Sequence, residues 1–184
     1  MKVVFLDRDG VINKEVEYLH KIKDLEFTYR CIDALKKIQQ KKYQIIVITN
    51  QAGIAKGYFT EKEYQLFTEL YLKKLVDNGV FILDVFYCPN HINGVIPEYT
   101  KDCEYRKPKP GMIKKAQKKY KINLTESIIV GDKVTDVLAG KAAGLGMNIL
   151  VESGHKLSES CKMQSDYVFK DLYSFSNSDI FNKF

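Results

Sequence analysis

Two pairs of closely spaced carboxylates, Asp7/Asp9 and Asp132/Asp136, each follow a short apolar run. Between the pairs lie a hydroxyl, Thr49, after a third apolar run, and an ammonium, Lys107, ahead of a Pro-Gly pair. Four carboxylates gathered at one point repel one another unless something positive sits among them. Hard oxygen donors of this kind select Mg²⁺, which commonly keeps some waters and a substrate phosphate. Each element also has a plainer reading on its own. Asp-x-Asp-Gly and Gly-Asp are ordinary turn formers, and Thr49 could simply cap a strand or helix. Chemistry is indicated by their joint placement at three strand ends.

The elements that must position these groups alternate along the chain. Val3-Val4-Phe5-Leu6, Ile45-Ile46-Val47-Ile48, Val80 to Tyr87, Ser127 to Val130 and Asn148 to Val151 read as strands, the first two as buried on both faces. Tyr167-Val168-Phe169 reads as a small edge strand. Helical spacing links Cys31, Ile32, Leu35 and Ile38, and again Tyr64, Phe67, Tyr71 and Leu75. Thr60-Glu61-Lys62-Glu63 has the form of a capping box that opens the second of these helices, and Asn78-Gly79 ends it. Pro110 suits the first turn of a helix through Lys119, and a short helix spans Val134 to Ala143. This alternation predicts an α/β fold, a Rossmann-like three-layer sandwich around a central, mainly parallel sheet. Residues 1–184 are expected to form a single domain with a loop insertion at about 88–109. Such sheets bind ligands beyond the carboxyl ends of their strands, where the carboxylates, Thr49 and Lys107 would meet.

Composition narrows the partners. With 45% hydrophobic and 28% charged residues, the chain is neither disordered nor of low complexity. No apolar run approaches the ~20 residues of a membrane span. The residues Met1 to Asp7 meet an acid before a signal-peptide core could form, so a cytoplasmic protein is expected. The net charge of +6 suits an anionic partner: nucleic acid, acidic membrane or phosphorylated small molecule. The lysines are scattered over helix surfaces, for example Lys36, Lys37, Lys114, Lys115, Lys118 and Lys119, and are not interleaved with aromatics on one face. A non-catalytic phosphate- or nucleic-acid-binding module is therefore the remote alternative, and no nucleic-acid or membrane partner is expected. Four cysteines without a secretory signal argue against a disulfide framework.

The motifs Asp7-Arg8-Asp9-Gly10-Val11-Ile12-Asn13, Thr49-Asn50-Gln51, Lys107 and Gly131-Asp132-Lys133-Val134-Thr135-Asp136 resemble those of the haloacid dehalogenase superfamily of phosphohydrolases. The longer stretches Thr49 to Thr60 and Arg106 to Met112 are similar to the D-glycero-D-manno-heptose-1,7-bisphosphate 7-phosphatase group, whose near relatives are bacterial histidinol-phosphatases. The similarity runs from Val3 to about Val151. It implies that Asp7 attacks phosphorus to give an aspartyl-phosphate, and that Asp9 is general acid and then general base. It further implies that Thr49 and Lys107 hold phosphoryl oxygens and that Mg²⁺ is bound by Asp7, the Asp9 carbonyl and Asp132. Asp136 would orient Lys107 or a metal-bound water. Substrate contacts would fall on Glu15, Val16, Glu17, Tyr18, Asn50, Gln51, Arg106 and Lys133, with the Arg106 guanidinium suited to a second phosphate. The activity implied is a Mg²⁺-dependent phosphatase removing the 7-phosphate of a heptose 1,7-bisphosphate for ADP- or GDP-heptose precursors. Histidinol phosphate or another small phosphate monoester is the alternative substrate, and a monomer is expected.

The resemblance breaks down in one place. Relatives often carry a structural zinc on a Cys-x-His and a later Cys-x-Cys in the loop before the Arg-Lys motif. Cys88 and Cys103 stand at matching positions, but Asn90 and Tyr105 replace the other two, and His91 is one residue off register. A closed tetrahedral site wants four N or S ligands and at most three are present, so no tightly held zinc is expected. The loop would then be held by packing of Ile92, Val95, Ile96 and Tyr99. Its ~20 residues are too few for the large cap domain of many relatives, which predicts an open site.

Overall fold

The computed structural model describes residues Met1–Phe184. Six strands form one parallel sheet: β1 (Val3–Leu6), β2 (Gln44–Asn50), β3 (Asp84–Cys88), β4 (Ile128–Gly131), β5 (Met147–Val151) and β6 (Tyr167–Phe169). Their spatial order is β3-β2-β1-β4-β5-β6, and every neighbouring pair is parallel. In this order the chain winds outward in both directions from β1, and the crevice between β1 and β4 is the switch point where such sheets bind ligands.

Period-two alternation assigns the strand side chains to two cores. Val4, Leu6, Ile45, Val47, Ile128, Val130 and Ile149 face one layer, built from α1 (Cys31–Gln40), α3 (Glu61–Asp77), α7 (Leu172–Ser176) and α8 (Asp179–Lys183). Val3, Phe5, Ile46, Ile48 and Ile129 face the other, built from α4 (Gly111–Tyr120) and α5 (Val134–Ala143). Two single-turn helices, α2 (Ala52–Ala55) and α6 (Glu159–Lys162), complete the set. No helix is long and apolar enough to cross a membrane.

The helix signals act as their chemistry dictates. Thr60 accepts from the Glu63 amide while Glu63 accepts from the Thr60 amide, so two end donors of α3 are satisfied reciprocally. The stripe Tyr64, Phe67, Tyr71 and Leu75 is the buried face of this helix. Gly79, at φ +76°, turns the chain out of it.

Three features differ from the sequence expectation. Strand β3 begins at Asp84 and not at Val80, because Val80 donates back to the Leu75 carbonyl and closes the end of α3, while Phe81 is exposed. The last residues, left unassigned above, form α7 and α8; Phe175 and Phe181 bury themselves against the α1 side of the core. The 88–109 loop is not held by apolar packing of Ile92 and Val95, which are 64% and 70% exposed, and Ile96 is exposed as well. Hydrogen bonds anchor it. The Val95 and Ile96 amides both donate to the Ala55 carbonyl, His91 N and Asn90 Nδ2 donate to the Tyr99 carbonyl, and the Tyr87 and Tyr99 hydroxyls both donate to Glu61, each at 2.8 Å. Of the four residues expected to pack, Tyr99 does so, against Ile54, Phe59 and Tyr64, and Cys103 and Tyr105 rest on the core as well, so the loop is held by polar anchors together with this packing.

Glu61 thus ties the loop, through Tyr99, to β3, through Tyr87. Glu61→Ala should leave global stability changed by less than about 2 kcal/mol yet speed amide hydrogen exchange over residues 91–99. Unchanged exchange there would contradict this role.

Candidate active site

The two central strands deliver the carboxylates. Asp7 is the first residue past β1, where its amide still donates to Val130 of β4 at 3.0 Å, and Asp132 is the first past β4. The two therefore face each other across the switch point. Gly10 then turns the chain at φ +80°, and a Cβ there would lie 2.3 Å from Asp132 Oδ2. A Cβ on Gly154 would come within 2.0 Å of the same oxygen. Two glycines therefore wrap Asp132, and no larger residue fits either place.

Lys107 is the positive group among the carboxylates. Only 3% exposed, its Nζ lies 2.9 Å from Asp7 Oδ2 and 2.6 Å from Asp136 Oδ1 and donates to the Ile48 carbonyl at 2.9 Å. Its backbone is clamped by Asn50, whose Nδ2 donates to the Lys107 carbonyl and whose Oδ1 accepts from the Lys107 amide, both at 3.1 Å. Asn50 lines the pocket, but both ends of its amide are committed to holding Lys107. Asp136 is likewise fixed, since its Oδ2 accepts from the Lys133 amide at the start of α5.

Electrostatics follow from this burial. Burial pushes the Asp7 carboxyl up to about 8; Lys107 opposes the shift, and Asp136, Asp132 and Asp9 reinforce it. Asp132 is raised to about 6 by burial and by Asp136, against the pull of Lys133 and His155. Burial would lower Lys107, yet Asp136 and Asp7 hold it above the usual lysine range. Burial would also raise Asp9, but the Arg8 guanidinium, Asn13 and Gln51 hold it below the usual carboxylate range. Three buried carboxylates, from Asp7, Asp132 and Asp136, have oxygens within 4.8 Å of one another with one ammonium among them. Asp132 Oδ1 is buried without any hydrogen-bond partner. An all-oxygen set with an orphaned carboxylate oxygen fits a hard divalent cation such as Mg²⁺.

The pocket in front of these groups has a volume of about 350 Å³. Asp7, Asp9, Thr49, Asn50, Gln51 and Lys107 line it together with Glu15, Val16, Glu17 and Tyr18, and with Arg106 and Lys133. Gln51 Nε2 bridges Thr49 Oγ1 at 2.8 Å and Asp9 Oδ2 at 3.2 Å. Tyr18, at φ +57°, is propped by the Lys56 ammonium on its hydroxyl and by Tyr58, whose ring centre is 4.2 Å away. Lys133 pairs with Glu15 at 3.2 Å. Half-buried Arg106 donates to the Asn90 carbonyl at 3.1 Å.

In the loop, the Cys88 thiol is buried against Asn90, and burial pushes it up to about 11. His91 Nδ1 accepts from the Asn93 amide, so that nitrogen is committed to the loop backbone. Cys103 lies beside Cys88 and is partly buried.

Two site residues escaped the sequence reading. His155 Nδ1 contacts Asp132 Oδ2, and Glu15, Asp132 and His155 form a second cluster of possible ligands. The signal was available, because Ser153-Gly154-His155 follows β5 and so also lies at a carboxyl strand end. Arg8, lodged between the two motif aspartates, forks onto Asp9.

A carboxyl raised from 3.8 to about 8 binds a proton in the folded state that the unfolded chain releases between those values. Stability of the metal-free protein should therefore fall as pH rises through that window. Measured in chelator by urea unfolding, wild type should lose stability relative to Asp7→Asn between about pH 5 and pH 8. Parallel pH profiles would contradict the buried-carboxylate account.

The HAD-hydrolase-like family model matches residues 104–175. The chain is 58% identical to a D-glycero-alpha-D-manno-heptose-1,7-bisphosphate 7-phosphatase of Photorhabdus laumondii, over 86% of this chain and 87% of that protein. It is 42% identical to a D-glycero-beta-D-manno-heptose-1,7-bisphosphate 7-phosphatase of Pasteurella multocida, over 93% and 92%. A crystal structure of D,D-heptose 1,7-bisphosphate phosphatase from B. bronchiseptica, complexed with magnesium and phosphate, superimposes with a TM-score of 0.84 at 25% identity, covering 100% of both chains. The chain belongs to the haloacid dehalogenase-like hydrolases, as a phosphoric monoester hydrolase of the group that contains these relatives.

Proposed function

We propose that the chain removes the 7-phosphate of D-glycero-D-manno-heptose 1,7-bisphosphate through an aspartyl-phosphate on Asp7. One observation carries the reading. The pocket sets a carboxylate and a buried ammonium together and carries the Arg106 guanidinium in its wall, beside Lys133 paired with Glu15, a layout with a second place for phosphate at Arg106. The relative at 58% identity is named for the alpha anomer and the one at 42% for the beta, so the alpha anomer is the expected preference.

In this mechanism Asp9, a carboxylate in the free protein, takes up a proton from solvent as the anionic phosphate binds beside it. An Asp7 oxygen then forms a bond to phosphorus as the bond to the sugar oxygen breaks, and Asp9 gives that oxygen its proton. Asp9, now a carboxylate, takes a proton from water, which attacks the acyl-phosphate and releases inorganic phosphate and Asp7. Lys107 and Thr49 hold phosphoryl oxygens in line, which is most of what phosphoryl transfer asks of a protein. Asp136 holds Lys107 on one side and the start of α5 on the other. Mg²⁺, bound by Asp7, the Asp9 carbonyl and Asp132, would supply positive charge between nucleophile and phosphate. Support for that cation is the orphaned Asp132 oxygen together with magnesium in the structural relative.

Steady-state kinetics on both anomers of the bisphosphate and on histidinol phosphate test the assignment, with kcat/KM expected highest on the alpha bisphosphate. Equal or faster turnover of histidinol phosphate would overturn it. Asp7→Asn should abolish turnover with an unchanged circular dichroism spectrum, whereas a binding module would keep its function. Arg106→Ala should raise KM for the bisphosphate roughly 10- to 100-fold, the worth of a charged hydrogen bond, and change that for a monophosphate far less.

A further inference from the structure

Arg8 is one residue from the nucleophile, yet nothing in the mechanism above uses it. Its guanidinium is 2% exposed. Nε donates to Asp9 Oδ1 at 3.1 Å, Nη2 donates to Asp9 Oδ2 at 2.9 Å and to the Leu19 carbonyl at 3.2 Å, and Nη1 has no partner. The cation sits 4.9 Å from the Phe67 ring centre and 5.7 Å from that of Tyr64, both on α3. A buried arginine with one partnerless nitrogen is expensive to fold, and this one is braced by two aromatic faces and aimed at a single carboxylate.

The donors around Asp9 show what that aim achieves. Oδ1 accepts from Arg8 Nε and Asn13 Nδ2, and Oδ2 accepts from Arg8 Nη2 and Gln51 Nε2. Each carboxylate oxygen has two in-plane lone pairs, so all four are occupied. Three of these bonds, at 2.9 to 3.1 Å, come from Arg8 and Asn13, which lie outside the pocket lining. The longest, 3.2 Å, comes from Gln51 in the pocket wall. The Gln51 bond is the one on the pocket side, so its displacement frees the position at which Asp9 can hold a proton and meet an oxygen arriving from the pocket, with the arginine fork left in place.

We propose that Arg8 is a positioning residue for Asp9: its bidentate fork fixes the orientation from which Asp9 exchanges a proton with the leaving-group oxygen. This rests on the acid–base reading of Asp9 given above. A fork constrains a planar carboxylate in a way that a point charge cannot, so lysine is not an equivalent replacement. A merely structural arginine, tying Leu19 and the 15–18 wall in place, would on removal weaken all substrates alike.

The test uses leaving groups. On the full-length enzyme with Mg²⁺, kcat/KM is measured for the heptose bisphosphate, whose alkoxide must be protonated, and for 4-nitrophenyl phosphate, whose phenolate departs without a proton. Arg8→Lys should lose about 10²-fold on the sugar phosphate, the lower end of a general-acid contribution, and under about 5-fold on the aryl ester. Asp9→Asn should show the same selectivity. Equal losses on both substrates in Arg8→Lys, or no loss, with Asp9→Asn still selective, would overturn the role of Arg8. Asp9→Asn losing both substrates equally would overturn the acid role of Asp9 and the proposal with it. Should Arg8→Lys fail to fold, nitrogen NMR of the wild type serves instead. The Arg8 Nε–H signal should be protected from solvent exchange, stay so with orthovanadate bound, and lose protection in Asp9→Asn; rapid exchange in the wild type would overturn the proposal.

Discussion

The structure depends on one buried ammonium. Lys107 stands between Asp7 and Asp136 at 2.9 and 2.6 Å, almost without solvent, and without it three buried carboxylates would share the site with no ammonium in contact with Asp7 or Asp136. A buried charge is tolerable only with partners. Here each partner has a second attachment: Asp136 caps the start of α5, Asn50 grips the Lys107 backbone, and Ile48 lends its carbonyl. The ammonium therefore arrives in a fixed place, although it comes from a loop and not from the sheet. Burial first, and the neighbouring carboxylates second, hold Asp7 and Asp132 above the usual carboxylate range, and a divalent cation among them would oppose that shift.

Backbone topology does the rest of the positioning. The β1/β4 switch point brings Asp7 and Asp132 face to face although they are distant in the chain, and Gly10 and Gly154 leave room for Asp132 between two backbone segments. The walls proposed to set specificity are held by side-chain props. The 15–18 wall hangs on Tyr18 and its Lys56 and Tyr58 props, and Arg106 hangs on a loop fastened by Glu61 and the Ala55 carbonyl. A rigid centre and hydrogen-bonded walls suit one chemistry applied to a particular small ester.

Much of this was legible in the sequence, for identifiable reasons. The apolar runs β1 and β2, the helical stripes of α1 and α3 and the capping box at Thr60 are local signals, and the structure reproduces them. Strand-end carboxylates were legible because a parallel sheet sends all its strands to one edge. What was not legible depends on partners remote in the chain. Val80 reads as strand until Leu75 claims its amide. The loop's apolar residues suggested packing, but Ile92 and Val95 stay exposed while Tyr99 packs inward, with Glu61, about 40 residues away, accepting from its hydroxyl. His155 and Arg8 look like ordinary surface and turn residues until the fold aims them at Asp132 and Asp9.

The proposed function turns on one covalent event, the transfer of a phosphoryl group to Asp7. The most direct measurement is rapid acid quench during turnover of the heptose bisphosphate, followed by borohydride reduction and peptide mass spectrometry. An acyl-phosphate at Asp7 is reduced to homoserine, so the account predicts homoserine at position 7 in enzyme quenched with substrate and none without it. Aspartate recovered intact at position 7 while another residue carries the modification would contradict the account.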